Sequence, residues 1–319
     1  MLAELLTTTT VSVSALLSPL PPWELIAGIA IMFFAMAGIT AWTNRRFLER
    51  RFTTIGWGVL ALVWVVMLPY YALEVRSPIQ AVGIALAIPL SLWVAIVRWR
   101  GRESLVVIGN AVAITGAIYL PISTFETTRQ WLIETVAIHT HELMTLLGHQ
   151  PGLVSDHAVG YTSQFDFDGH TTYIVMACTG LGSIAVFAGA ILAVEGEPVR
   201  KLIATAVIAV IIYTLNLVRN VFIGLATPLG WFDFEPFLSI SALFGVEPIR
   251  NSYFITHTII SQPVSLLVVL GLALLALRMV PGLFSIFDEI IYVLTGDDVD
   301  LRTEFGPRIL GEESVAAAD

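Results

Sequence analysis

The sequence predicts an all-α, polytopic integral membrane bundle of about seven transmembrane helices, and three observations carry that prediction. Of its 319 residues, 56% are apolar and only 13% charged, with a mean hydropathy of +0.83. A soluble domain of this size needs far more polar surface. Apolar runs of about 20 residues recur along the chain between short polar links, the length needed to cross a hydrocarbon layer of about 30 Å. Arginines gather in alternate links, as chains that cross a membrane repeatedly require.

Taken in order, the spans run from Glu24 to Trp42, Thr53 to Leu73, Pro78 to Val97, Ser104 to Ser123, Thr171 to Val194, Leu202 to Ala226 and Phe254 to Leu277. The first link holds Arg45, Arg46, Arg50 and Arg51, and the third holds Arg98, Arg100 and Arg102. Both therefore read as cytoplasmic. Two further crossings bring Arg200 and Lys201 to the same side, and Arg278 closes the seventh span there. The N-terminus then faces outward. The stretch from Met1 to Pro22 has no basic residue ahead of its apolar ones, which argues against a cleaved signal peptide.

The segment from Glu126 to Gly148 is interrupted by Glu134, His139, His141 and Glu142, which a lipid-facing span tolerates poorly. It reads as an amphipathic helix at the outer surface or capping the bundle. The following 'GHQPGLVSDHAVGYTSQFDFDGH' has the composition of an irregular loop or short hairpin. Together with 'PLGWFDFEPFLSISALFGVEPIRNS' it gives the outer face most of the polar cover, so chemistry is expected outward. After Pro281, 'GLFSIFDEIIYVLTG' reads as a short interfacial helix and the tail ending 'EESVAAAD' as disordered. The predicted organisation is an extracytoplasmic segment (1–22), a membrane domain (23–284) with an outer helix and loop (126–170), and a cytoplasmic interfacial segment with an acidic tail (285–319).

The formal net charge of −9 argues against a nucleic-acid partner, whose backbone needs clustered lysine and arginine. Lys201 is the only lysine among 16 basic residues, a bias that resembles salt-adapted proteins. Cys178 is the only cysteine, which rules out an intramolecular disulfide and any multi-cysteine metal site. His139 and His141 are two apart and diverge on a helix. With no phosphate-binding glycine loop either, neither a metal nor a cofactor is predicted.

Three polar residues share one depth. Cys178 lies about seven residues into the fifth span, Arg219 about seven before the sixth emerges, and His257 about one turn inside the seventh. Each has a bland reading: a small packing residue for Cys178, a clamp or snorkelling side chain for Arg219, a hydrogen-bonded packing residue for His257. Yet arginine inside a span costs several kcal/mol unless hydrated or paired, and convergence from three helices weakens all three bland readings together. A thiolate attacks a peptide carbonyl to give a thioester, and a histidine protonates the leaving amine. An arginine stabilises the oxyanion and lowers the thiol pKa.

Asn216 and Arg219 are three apart and share a helix face, so the amide can orient the guanidinium. Asn220 and Thr179 are candidate polar lining. Gly180 and Gly182 reduce bulk beside the thiol and let a substrate backbone approach; close helix packing explains the same glycines.

The run 'MACTGLGS' with Cys178, 'NLVRN' with Arg219 and 'THT' with His257 resembles the three signature positions of the exosortase and archaeosortase family, the archaeosortase A group of haloarchaea in particular. The resemblance implies a membrane cysteine transpeptidase with Cys178 as nucleophile, His257 as acid and base and Arg219 as oxyanion stabiliser. The implied clients are secreted proteins with a C-terminal signal of Pro-Gly-Phe, a transmembrane segment and a basic tail, the surface-layer glycoprotein among them. The implied acceptor is a membrane phospholipid, and hydrolysis of the same signal is a variant of that reading. Arg250, just ahead of the seventh span, binds substrate or shares the arginine role. Transport is a competing class, but spans two and three are nearly free of polar interior residues and no inverted repeat is evident. A non-enzymatic assembly role is the third; it would tolerate serine in place of Cys178.

Overall fold

A computed structural model describes residues 22–74, 78–155 and 160–310 of the protein. The expectations for the N-terminal segment and for the 'EESVAAAD' tail fall outside the described residues.

By internal packing the chain divides into two units, one formed by residues up to Phe125 with Ser285–Val299, the other by Glu126–Phe284 with the residues from Asp300 on. The first unit contains α1 (Pro22–Trp42), α2 (Arg46–Pro69, continued by a π-helical turn Tyr70–Glu74), α3 (Pro78–Trp99) and α4 (Val106–Thr124). Later in the chain it also contains the amphipathic Phe284–Thr295 helix. Phe34 of α1 is 1% exposed and meets Trp57 of α2 edge-on, with ring centroids 5.4 Å apart.

The arginines that mark this unit's links are partly structural. Arg98 is 1% exposed, pairs with the buried Glu49, and donates to the Arg102 carbonyl at 2.9 Å. Arg102 donates to both carboxylate oxygens of Glu289 at 2.8 and 3.1 Å, reaches Asp298 at 2.6 Å and lies 3.7 Å over the Tyr292 ring. The hydrogen bonds that Arg102 donates to Glu289 raise its guanidinium further above the ordinary value, against the opposing effect of burial.

The second unit begins with α5 (Glu126–Leu146), followed by β1 (Gly152–Ser155), β2 (Thr162–Phe167) and β3 (His170–Tyr173), a short 3-10 turn (Met176–Cys178), α6 (Leu181–Ala193) and α7 (Pro198–Ala226). It continues with α8 (Phe237–Leu243), a 3-10 turn (Pro248–Arg250), α9 (Asn251–Phe254), a π-helical turn (Ile255–Ile260) and α10 (Ser261–Met279). The Phe284–Thr295 helix of the first unit is α11, and α12 (Leu301–Leu310) returns to the second. The expected loop or hairpin is an antiparallel three-stranded sheet in the order β1-β2-β3.

Helix α5 buries Ile133, Val136, Ala137, Thr140 and Met144, a single face by helical spacing. That face forms one core with Tyr161 and Phe165 of the sheet region and Leu217, Val221 and Leu225 of α7. Three of the four polar residues that interrupt its hydropathy have partners, and the fourth, Glu142, is exposed. Glu134 accepts the Thr162 N–H at 2.9 Å, His139 Nδ1 lies 2.6 Å from the Tyr213 hydroxyl, and His141 Nε2 lies 3.0 Å from the Pro151 carbonyl. At the far end of the α6–α7 pair, Lys201 donates to the carbonyls of Leu192 and Val194 at 2.9 Å each, capping α6.

The chain is a multi-pass membrane protein with six helices long and apolar enough to span among the described residues: 23–42, 46–73, 80–99, 106–124, 198–226 and 248–279. The expected span from Thr171 to Val194 is the correction. Its first residues form β3 and the turn, and only 13 residues, Leu181–Ala193, are helical. At 1.5 Å per residue that is about 20 Å, short of a full crossing. The reason lies in the sequence: Thr171, Thr172, Tyr173, Ile174 and Val175 favour extended backbone. Gly180 then adopts φ +77° as the N-cap, a conformation a continuing helix does not contain.

Candidate active site

Cys178 is therefore not inside a helix but closes the turn that joins the sheet to α6. Its N–H donates to the Val175 carbonyl at 2.7 Å, and the Thr179 N–H and hydroxyl both donate to the Met176 carbonyl, at 3.2 and 2.8 Å. The Cys178 side chain is free and half-buried. Its carbonyl accepts two side-chain amides from α7, Asn216 Nδ2 at 2.6 Å and Asn220 Nδ2 at 2.9 Å. Four residues apart on one helix, these amides reach the same oxygen from consecutive turns. A Cβ at Gly180 would stand 3.3 Å from the Asn216 side chain, so the left-handed glycine also gives the amide its approach.

Arg219 lies on the same helix and lines a cavity of about 270 Å³ between α6, α7 and α10, together with Gly180, Asn216, Phe222, Ser261 and Val264. The remaining walls are mainly aliphatic, and among the described residues Arg219 is the only charged one in the lining. His257 sits in the π-helical turn of the following segment. Its ring stacks on Tyr253, one turn earlier, with centroids 5.0 Å apart and planes 15° from parallel. Tyr253 is within electrostatic reach of Cys178, Tyr173, Arg219 and Arg250, and His257 is within reach of Arg219.

A polar knot fixes the start of that segment. Asp233 Oδ1 accepts the Ser252 N–H at 3.1 Å, the Ser252 hydroxyl at 2.8 Å and the Asn251 amide at 3.0 Å. Ser252 Oγ in turn accepts the Phe232 N–H at 3.0 Å. Asn251 is fully buried, so these bonds satisfy groups that would otherwise be expensive to desolvate. They tie the loop after α7 to the residues that carry Tyr253 and His257.

The sequence candidates thus separate by role. His257 stacks on Tyr253, whereas Cys178 and Arg219 bear on that ring only electrostatically. Asn216, expected to orient the guanidinium, instead donates to Cys178, and no hydrogen bond joins it to Arg219 among the described residues. Asn220 is 5% exposed and has the same partner. Thr179 is 1% exposed and holds the turn, so it does not line an open site. Gly180 lines the cavity, Gly182 has open space where a side chain would begin, and Arg250 is exposed on its 3-10 turn. Tyr253, Asn251 and Asp233 were missed. The one available signal was a polar Asn-Ser pair followed by tyrosine at the mouth of an apolar run. No group of three or more His, Cys, Asp or Glu residues stands as a metal site among the described residues.

Comparison with known proteins places these residues in context. The transmembrane exosortase family matches residues 24–233. Archaeosortase A of Haloferax volcanii is 36% identical over 299 residues, covering 89% of this chain and 97% of that protein. Archaeosortase A of Natronomonas pharaonis is 34% identical over 292 residues, covering 89% and 92%. No solved structure matches.

Proposed function

The chain belongs to the transmembrane exosortase family, and from that membership we propose that it is a membrane cysteine transpeptidase of the archaeosortase kind. It cuts a C-terminal Pro-Gly-Phe-type sorting signal from secreted proteins, the surface-layer glycoprotein among them, and transfers the new C-terminus to a membrane phospholipid. The observation that carries the reading is Tyr253. This one ring stacks on His257 and lies within electrostatic reach of both Cys178 and Arg219, which supports a common site for the three groups the chemistry needs.

In this reading the Cys178 thiolate attacks the scissile carbonyl, and electron density moves to the carbonyl oxygen, where the Arg219 charge stabilises it. His257 protonates the departing amine, the C–N bond breaks and the apolar tail leaves. His257 then takes a proton from the lipid hydroxyl or amine that attacks the thioester, and the thiolate is released. Cys178 stands two residues ahead of the N-cap of α6, so the positive end of that helix dipole lies beside the reacting atoms. The two amides on the Cys178 carbonyl fix the turn, so the nucleophile needs little reorganisation. The aliphatic cavity beside Arg219 suits the apolar tail or a lipid chain. Because Arg200, Lys201 and Arg278 cluster at the opposite ends of α7 and α10, the reaction faces outward under the positive-inside rule.

Hydrolysis by water in place of the lipid is the second reading, and the same experiment separates the two. A precursor with a C-terminal Pro-Gly-Phe signal is incubated with membranes containing the native protein or its Cys178→Ser variant, and the products are weighed by mass spectrometry. A shortened, lipid-linked product from the native protein alone supports transfer. A shortened product without lipid supports hydrolysis, and equal products from both proteins return Cys178 to a packing role.

A further inference from the structure

Strand β3 is an edge strand, and the chain runs from it directly into the nucleophile's turn. The sheet order leaves one side of β3 without a partner strand among the described residues. Which main-chain groups face that side follows from the pairing. The Ile174 N–H donates to the Ser163 carbonyl at 2.9 Å, so Ile174 and Ser163 form a bonded pair of the antiparallel ladder. Such pairs alternate with pairs that do not exchange hydrogen bonds. Thr172, opposite Phe165, is therefore bonded to β2, while Thr171 and Tyr173, opposite Asp166 and Gln164, turn their N–H and C=O groups outward. Val175 continues the series with extended backbone (φ −114°, ψ 172°), three residues before Cys178; its carbonyl accepts the Cys178 N–H, so it adds only its N–H to the edge.

This edge is accessible and belongs to the site. His170 and Thr171 are exposed, Tyr173 is 59% exposed and Val175 41%. Tyr173 is also within electrostatic reach of Tyr253, the ring that stacks on His257. The other edge strand, β1, has no such continuity with Cys178.

We propose that the free edge of β3, through the outward main-chain groups of Thr171 and Tyr173 and the N–H of Val175 just beyond it, binds the extended client segment ahead of the scissile bond by strand addition. This rests on the transpeptidase reading and adds the substrate-binding mode to it. Strand addition draws affinity from the main chain and tolerates varied side chains, which suits an enzyme with many clients that share only a short signal. The pairing is parallel. The client segment precedes its membrane-spanning tail just as β3 precedes α6, so both chains run from the sheet toward the bilayer. A paired client offers every second residue to the edge, because successive residues of a strand point their polar groups to opposite sides.

The test uses full-length protein in lipid nanodiscs and synthetic client peptides that carry the signal and its apolar segment. In each peptide one amide ahead of the scissile bond is replaced by an ester, which removes a single N–H. The expected result is a two-residue alternation, with KM raised about fivefold at every second position and little changed between. Equal effects at neighbouring positions, or none, overturn the edge assignment while turnover of the all-amide parent leaves the transpeptidase reading standing. Failure of the wild-type protein to cut the parent at all overturns both. On the protein side, Thr171→Pro removes one outward N–H from an edge strand, where proline is tolerated. It should raise KM with the rate of Cys178 labelling by a small maleimide unchanged. An unchanged KM overturns the assignment, and lost labelling together with an unchanged KM does the same.

Discussion

Asn216 donates its side-chain amide to the main-chain carbonyl of Cys178 at 2.6 Å. Cys178 is therefore positioned through its backbone, by a helix that also carries Arg219. Asn220 adds a second donor at 2.9 Å, so either amide removed alone leaves one bond on a partly buried acceptor. Asn216→Ala and Asn220→Ala are each expected to slow precursor conversion by about tenfold, within the usual worth of one such bond. The double variant should lose far more than the product of the two, since the groups share one acceptor. Conversion rates in membranes, normalised to protein level, check this, and a double variant as active as either single one contradicts it.

Gly180 makes the companion prediction. Its φ of +77° and the 3.3 Å approach of Asn216 both oppose a side chain, whereas Gly182 has open space at the corresponding point. Gly180→Ala should destabilise the turn by about 1–2 kcal/mol from backbone strain alone and lower conversion further by pushing Asn216 off the Cys178 carbonyl. Gly182→Ala should leave conversion near the native rate. Similar losses in both variants would mean that the small-residue run serves helix packing instead.

These two glycines also mark where the sequence was legible and where it was not. Long helices were readable because uninterrupted apolar runs admit few alternatives, and the helix over Glu126–Leu146 was readable from its mixed face. The turn at Cys178 was not, because 'MACTGLGS' is apolar and small enough to continue a span, and hydropathy does not register the φ of a glycine. Cys178, Arg219 and His257 stood out because each residue type is conspicuous in an apolar setting. The bonding of Asn216 was misjudged for a different reason: helical spacing reports which residues share a face, but the partner here lies 38 residues away in sequence. Tyr253 escaped because an aromatic at a helix mouth is ordinary until its neighbours are known.

Arg98 and Glu49 give a stability prediction. With side chains 1% and 8% exposed, the pair is buried, and removing one partner strands the other's charge. Glu49→Ala should cost about 3–5 kcal/mol, read as a large fall in unfolding temperature in detergent. The paired change Glu49→Leu with Arg98→Met should recover most of the loss. By contrast, Arg46 and Glu103 are 73% and 63% exposed, and breaking that bridge should matter by about 1 kcal/mol or less. Equal losses at the two bridges would place the Arg98 guanidinium in water.

A pH dependence follows from Tyr161, which is 5% exposed and donates to Glu126. Burial raises its phenol above the ordinary tyrosine value, the Glu126 hydrogen bond adds to that, and Arg129 works the other way. A raised folded pKa means that the folded state holds the proton longer than the unfolded chain. The stabilisation is therefore complete below the unfolded value, about 10, and is lost as pH rises through the folded one. Stability measured from neutral to strongly alkaline pH should fall more steeply in the native protein than in Tyr161→Phe. Parallel curves would mean that the phenol ionises alike in both states.

Tyr253 and His257 allow the ring stack to be separated from the hydroxyl. Their centroids lie 5.0 Å apart at 15°, an arrangement worth about 0.5–1.5 kcal/mol beyond burial. If the stack holds the imidazole where it meets the leaving group, Tyr253→Leu should lower kcat by roughly threefold to tenfold with KM little altered, because the loss falls on the proton-transfer step. Tyr253→Phe keeps the stack and removes only the hydroxyl, so it should retain most of kcat. A Phe variant as impaired as the Leu variant would shift the role from the ring to the phenol, which Cys178 and Arg219 both influence.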